Sequence, residues 1–143
     1  MKILANDGVS QSGIDILTEA GFEVITTNVA QEQLVNYINE NKITVLLVRS
    51  ATTARKVLID SCPGLKIIGR GGVGMDNIDV EHAREKGLSV INTPAASSSS
   101  VAELVFAHLY GGVRFLHESN RAMPLEGDSN FKKLKKAFAN GIE

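Results

Sequence analysis

Short apolar, β-branched segments alternate with amphipathic stretches along the first hundred residues, and this alternation limits the chain to few folds. Residues 44–48 carry the strongest signal. Val45, Leu46, Leu47 and Val48 follow one another without a polar break. A strand of that kind needs cover on both faces, as in a parallel sheet flanked by helices. The other strand segments are 2–6, 23–27, 65–68 and 89–91. Helical segments are expected at 12–20, from about residue 28 through Leu34, Val35 and Ile38, at 55–61 and at 79–86. Ser12 and Asn28 are read as N-caps, with Asp15 and Gln31 three residues on, and Gly21 as the residue that ends the first helix. The order implies an α/β fold: a flavodoxin-like, doubly wound, parallel five-stranded sheet with right-handed crossovers. The substrate-binding domain is placed at residues 1–97.

The pattern changes after that point. Ser100 and Glu103 have the spacing of a capping box, and a long helix is expected to run to about Arg121. Its residues Val101, Leu104, Val105, Phe106, Leu109, Tyr110, Val113, Phe115 and Leu116 fall on every side of the helix. Such a helix needs burial all round, so residues 98–143 are read as a linker and dimerisation helix followed by a basic tail. The tail clusters Lys132, Lys133, Lys135 and Lys136.

Bulk properties exclude several classes of partner. Formal net charge is −1, so no global basic field recruits nucleic acid or an anionic membrane. No apolar run reaches the roughly 18 residues of a membrane span. Cys62 is the single cysteine, which fits a reducing compartment, and no leader pattern precedes the first strand. A cytoplasmic protein is expected. No group of side chains has metal-ligand spacing.

Ligands of such sheets bind beyond the carboxyl ends of the strands, so residues following each strand carry most of the functional information. Arg49 and Ser50 follow the third, Arg70 and residues 71–74 the fourth, and Asn92, Thr93 and Pro94 the fifth. The segment Gly69-Arg70-Gly71-Gly72-Val73-Gly74 matches the dinucleotide fingerprint in letters only. It follows the fourth strand, Met75-Asp76-Asn77-Ile78 separates it from the next helix, and no acidic residue ends the following strand. Its chemically simpler use is a backbone nest, with the amides of residues 71–73 offered to a carboxylate. Arg49 and Arg70 on the same edge add two permanently charged forks for carboxylate or phosphate oxygens. A phosphorylated hydroxy acid carries both kinds of anion.

Three segments together are more specific. Val48-Arg49-Ser50-Ala51-Thr52, the run from Gly69 to Asp79, and Val90-Ile91-Asn92-Thr93-Pro94 resemble the N-terminal part of the D-isomer-specific 2-hydroxyacid dehydrogenases, those acting on 3-phosphoglycerate in particular. The likeness continues through Ala102-Glu103-Leu104. It implies an outer substrate-binding domain built from both chain ends, with a Rossmann domain inserted between them. It implies oxidation of 3-phosphoglycerate to 3-phosphohydroxypyruvate with NAD, at the entry to serine synthesis. Arg49, Ser50, Arg70, Gly71, Gly72 and Val73 then match substrate-binding positions. Val73, where many relatives carry threonine, also matches a cofactor-binding position, and Ser97 stands at the hinge near the cofactor. The basic stretch near Lys135 and Lys136 resembles a region that reaches the partner subunit's substrate phosphate, with Lys136 as one candidate. The helix at 100–121 resembles the homodimer-forming segment.

The likeness also implies that the catalytic arginine, glutamate and histidine lie beyond residue 143. His82, His108 and His117 do not take their place, because they fall on helices away from the strand ends. This stretch is then expected to bind substrate, to bind no NAD by itself and to be inactive alone. Three other readings compete. A phosphorylated signalling receiver shares the sheet, but it needs an aspartate where Arg49 stands and an acidic pair where only Asp7 is found. A non-catalytic, dimerising, anion-binding module is compatible with the same residues, as is a dehydrogenase for another 2-hydroxy acid.

Overall fold

A computed structural model describes residues 1–125 and residue 135. The chain divides after Ala96 into two units. In the first, β1 (Lys2–Ala5), β2 (Glu23–Ile25), β3 (Val45–Val48), β4 (Ile67–Arg70) and β5 (Ser89–Asn92) form one sheet in the order β2-β1-β3-β4-β5. Every pair is parallel. This is the flavodoxin-like order, with its switch point between β1 and β3. Helices α1 (Gln11–Glu19), α2 (Leu34–Glu40), α3 (Lys56–Ser61) and α4 (Val80–Glu85) make the crossovers.

Alternation along the strands separates two faces. Leu4, Leu46, Val48 and Ile68 join Leu34 and Ile38 of α2, Leu58 and Ile59 of α3, and Ala83 of α4 in one buried cluster. Leu47, Gly69 and Ile91 share the other face. A side chain at Gly69 would stand 2.7 Å from Leu47 Cδ2 and 3.5 Å from Ile91 Cγ1, so glycine lets those two side chains meet above it. That face is incompletely covered: α1 contributes no buried residue, and Ile91 is 54% exposed.

Several local expectations are corrected. Ser10, not Ser12, caps α1, with its hydroxyl accepting from the Gly13 amide. Gly21 follows with φ +84°, as a C-terminal glycine should. Asn28 and Gln31 do not cap α2. Asn28 donates to the Asn6 carbonyl, and Gln31 pairs with both backbone groups of Thr53. Asp79 precedes α4, yet its carboxylate accepts from the Lys56 amide at 2.9 Å and so caps α3. β4 begins two residues later than expected, which makes Arg70 its last residue.

In the second unit, α5 (Ser98–Val113) and α6 (Leu116–Leu125) replace the single helix expected to about residue 121. The break falls at Phe115, whose φ is +54°. Gly111 and Gly112 weaken the preceding turn. The expected capping box is also absent, since the Ser100 hydroxyl donates back to the Ser97 carbonyl. Val101, Leu104, Val105, Phe106, Leu109 and Tyr110 are each more than half exposed. Among the described residues no helix is long and apolar enough to cross a membrane.

Polar side chains stitch together the loops beyond β1, β3 and β4. Buried Asn6 donates to the Val29 carbonyl and the Thr52 hydroxyl, and accepts from the Val29 amide. Asp7 Oδ2 accepts the amides of Arg49 at 2.6 Å and Thr52 at 3.1 Å, while Oδ1 accepts the Thr52 hydroxyl. Buried Asn77 donates to the carbonyls of Arg49 and Thr52. Ala54 and Ile78 add a parallel bridge between the loops beyond β3 and β4.

Two predictions test this frame. Leu46→Ala, at a fully buried position, should lower the unfolding free energy by about 2–5 kcal/mol in a urea titration. For Asp7, partial burial pushes the carboxyl upward, but the hydrogen bonds from Thr52, Arg49 and Ala51 outweigh it and hold the group below its ordinary 3.8. A depressed folded value means that stability is present above pH 3.8 and lost as pH falls through that lower value. The wild-type melting temperature should therefore drop more steeply on acidification below that point than that of Asp7→Asn, as read by circular dichroism.

Candidate functional site

The parallel strands deliver their last residues to one rim, and β3 and β4 are neighbours there. Val48 pairs with Arg70 in the ladder, so Arg49 emerges directly beside Arg70. The Arg70 guanidinium is folded back onto this rim. Its Nε donates to the Arg49 carbonyl at 3.1 Å, and Nη1 lies 3.9 Å from the exposed Asp76 carboxylate. Only 14% of the Arg70 side chain remains exposed. Arg49 lays its stem beside Gly71, while its guanidinium has no hydrogen bond or ion pair among the described residues.

The glycine loop sits against these two side chains. A side chain at Gly72 would meet the Arg70 guanidinium at 3.6 Å. One at Gly74 would stand 3.0 Å from Asp76 Oδ1 and 3.2 Å from Arg70 Nη1. The loop is fastened from β5, where Asn92 donates to the Val73 carbonyl at 2.7 Å and the Thr93 amide donates to the Gly72 carbonyl.

The expected nest at residues 71–73 needs correction. The Gly71 amide continues the ladder to the Val48 carbonyl at 2.9 Å, and the Gly72 amide closes a tight turn on the Arg70 carbonyl at 3.0 Å. Both donors are spent. The amides of Val73 and Gly74 make no hydrogen bond among the described residues, so the open donors lie one to two residues further on. A β-carbon at Gly71 or Gly72 would meet its nearest neighbour at 3.6 Å, an ordinary contact.

Other expected residues are placed as follows. Ser50 is exposed next to Arg49, and Val73 is 53% exposed on the loop. Ser97 precedes α5 in the second unit, where its carbonyl accepts from the Val101 amide. Lys135 is exposed, and Lys136 lies outside the described residues. His82 is bound to Asp60 at 3.0 Å on the helical layer; His108 and His117 lie on α5 and α6. Among the described residues no cluster of metal-ligating side chains occurs. Sequence reasoning overlooked Asp7 and Asn77, which bind the Arg49 peptide at its two ends. Asp7 entered the sequence reading only as a lone acid after the first strand, and Asn77 only within the segment that separates the glycines from the next helix.

Among the described residues the glycine loop does not have the form of a dinucleotide site. After Gly74 the chain turns through Met75–Ile78 positions without entering a helix, and β5 ends in Asn92 rather than an acidic residue. The pyrophosphate would have no helix N-terminus and the ribose no carboxylate acceptor.

Beside the arginine rim lies a cleft of about 340 Å³ floored by Leu47, Gly69 and Ile91, with Val9, Ser10 and Thr93 at its edge. Its floor belongs to the incompletely covered sheet face.

Comparison with known proteins places this arrangement. The chain is 39% identical over 135 residues to a D-3-phosphoglycerate dehydrogenase of Methanocaldococcus jannaschii, a match covering 94% of this chain and 25% of the relative. It is 36% identical to a hydroxypyruvate reductase of Thermotoga maritima, covering 94% and 43% of the two chains. It superposes on the NAD⁺-bound 3-phosphoglycerate dehydrogenase of Entamoeba histolytica with a TM-score of 0.63 and 30% identity, covering 80% of this chain and 39% of that one. The chain thus spans a quarter to under half the length of these relatives. Residues 3–140 match the family model described as D-isomer specific 2-hydroxyacid dehydrogenase, catalytic domain, and the chain belongs to that family.

Proposed function

We propose that residues 1–97 are the substrate-binding domain of an NAD-dependent dehydrogenase that oxidises 3-phosphoglycerate to 3-phosphohydroxypyruvate. The observation that carries the reading is the pair Arg49 and Arg70, side by side on one rim above a glycine loop with open amides. A phosphorylated hydroxy acid has an anion at each end. One end suits the Val73 and Gly74 amides together with Arg70. The other suits the unengaged fork of Arg49, with the Ser50 hydroxyl beside it. The glycines admit the acid close to the backbone, where a larger residue would meet the guanidinium of Arg70.

The relatives named for 3-phosphoglycerate support the substrate. The relative named hydroxypyruvate reductase supports a second reading, a related 2-hydroxy acid of three carbons without the phosphate. The same rim serves either, and the phosphate decides between them through the free guanidinium. Val73 and Ser97 are the residues of this chain assigned to the cofactor side. NAD supplies the hydride acceptor when bound in the whole enzyme. What this chain's own rim does is bind the acid, fix its orientation and leave its carbon-bound hydrogen accessible. Among the described residues no histidine stands on that rim, and the family resemblance assigns proton transfer to a histidine outside it. Residues 98–143 are read as the linker and dimerisation segment, with Lys136 near a partner subunit's substrate. The exposed apolar faces of α5 are the reason for expecting a second copy there.

The reading is tested by calorimetric titration with 3-phosphoglycerate. Arg49→Ala and Arg70→Ala should each weaken binding by about 1.5–3 kcal/mol, the loss expected of a charge-assisted contact. Unchanged affinity in both variants removes the arginines from the site. Glycerate, lacking the phosphate, should bind more weakly to wild type and lose little more in Arg49→Ala. The 143-residue chain should show no NADH absorbance with NAD and 3-phosphoglycerate, and turnover in that assay overturns the assignment of proton transfer to groups beyond the rim.

A further inference from the structure

The two arginines do not set their own positions. Arg70 is registered on the carbonyl of Arg49, through its Nε at 3.1 Å, and the same carbonyl accepts Asn77 Nδ2 at 2.9 Å. The N–H of Arg49 is held by Asp7 Oδ2 at 2.6 Å. The backbone of one residue is therefore clamped at both ends by side chains from the β1 and β4 loops. Asp7 also takes the Thr52 amide and hydroxyl, so its carboxylate fixes residues 49–52 as a unit. Every donor in this set approaches Asp7 from the β3 loop.

A carboxylate this near an anion site would ordinarily oppose binding. Here it accepts from residues 49, 51 and 52, and Thr52 is itself anchored by the Asn6 amide group at 2.8 Å. These neutral donors do not cancel its charge; they tie the carboxylate to the β3 loop. We propose that Asp7 is the positioning residue of the anion site: it fixes the Arg49 backbone, and through the Arg49 carbonyl it fixes the guanidinium of Arg70. This rests on the anion-site reading given above for its function, and on the hydrogen bonds alone for its geometry.

The test uses the full chain and two independent readouts. The first is hydrogen exchange of the Arg70 Nε–H by ¹H–¹⁵N NMR, which reports the bond to the Arg49 carbonyl without any ligand. The second is titration with 3-phosphoglycerate. In Asp7→Ala the Arg70 Nε–H should exchange about tenfold faster and 3-phosphoglycerate affinity should fall by a similar factor, as expected when a hydrogen-bonded clamp to a charged group is lost. Asp7→Asn should restore both toward wild type, because an amide oxygen still accepts the N–H groups of residues 49 and 52. Should Asp7→Ala fail to fold, Asp7→Glu keeps the charge and displaces it by one methylene, and exchange at Arg70 should still accelerate. Wild-type exchange at Arg70 in the Ala or Glu variant overturns the proposal. So does an Asn variant as impaired as Ala, which would assign the effect to charge. A wild-type chain that takes up no 3-phosphoglycerate overturns the anion reading instead, and the exchange readout then decides the clamp by itself.

Discussion

The hydrogen bonds that hold the backbone of Arg49 from both sides are the constraint on which the rim depends. A parallel sheet brings every strand's last residue to one edge, but it leaves the loops beyond that edge free in principle. In this chain the loop after β3 is bound to the loop after β1 by Asp7 and to the loop after β4 by Asn77 and Arg70. The strand order makes this possible, since β3 lies between β1 and β4. A different order would separate these three loops, and the same residues would have nothing to hold. The fastening has a cost. Asn77 Oδ1 is buried without a partner among the described residues, and an orphaned acceptor costs about 1–3 kcal/mol. Turning the amide over would be worse, because its oxygen would then face the carbonyls of Arg49 and Thr52. The orientation is thus decided by the two carbonyls that need a donor.

How much of this was legible in the sequence follows from how local each signal is. The strands were legible because burial on both faces imposes continuous apolar runs, as at Val45–Val48. The unsuitability of the glycine motif for a dinucleotide was legible because it depends on chain order, and the loop indeed leads into a turn rather than a helix. Short polar residues were misread. Ser12 and Asn28 each had the spacing of a local cap, Asp79 was read only as the start of a helix, and a cap and a long-range tether require the same side-chain chemistry. Asn28 and Asp79 were tethers: one reaches the carbonyl of Asn6, the other the amide of Lys56. Nothing in the neighbouring letters separates those uses, because the partner lies more than twenty residues away and is supplied by the fold.

The helix beyond residue 97 illustrates the same limit in another form. Apolar residues on every side were plain in the letters, and Val101, Leu104, Val105, Phe106, Leu109 and Tyr110 of α5 are more than half exposed among the described residues. The break at Phe115 was not, because it depends on one residue adopting the left-handed region that a β-carbon disfavours. Gly111 and Gly112 mark weak helix but do not specify where the turn is lost.

The glycine loop shows why a motif and its chemistry must be separated. Residues 71–74 look like a row of equivalent donors, yet the sheet claims the Gly71 amide and a tight turn claims that of Gly72. Among the described residues only the amides of Val73 and Gly74 in this loop are left open. A β-carbon at 72 would only touch the guanidinium of Arg70, at 3.6 Å, whereas one at 74 would crowd Nη1 at 3.2 Å, so it is Gly74 that leaves the arginine its place. In a rim built in this way the Arg70 guanidinium is held by the Arg49 carbonyl beside the Asp76 carboxylate, and the Arg49 backbone is held by Asp7. Recognition of an acid there draws on groups that need little rearrangement, and preorganisation of that kind lowers the cost of ordering on binding.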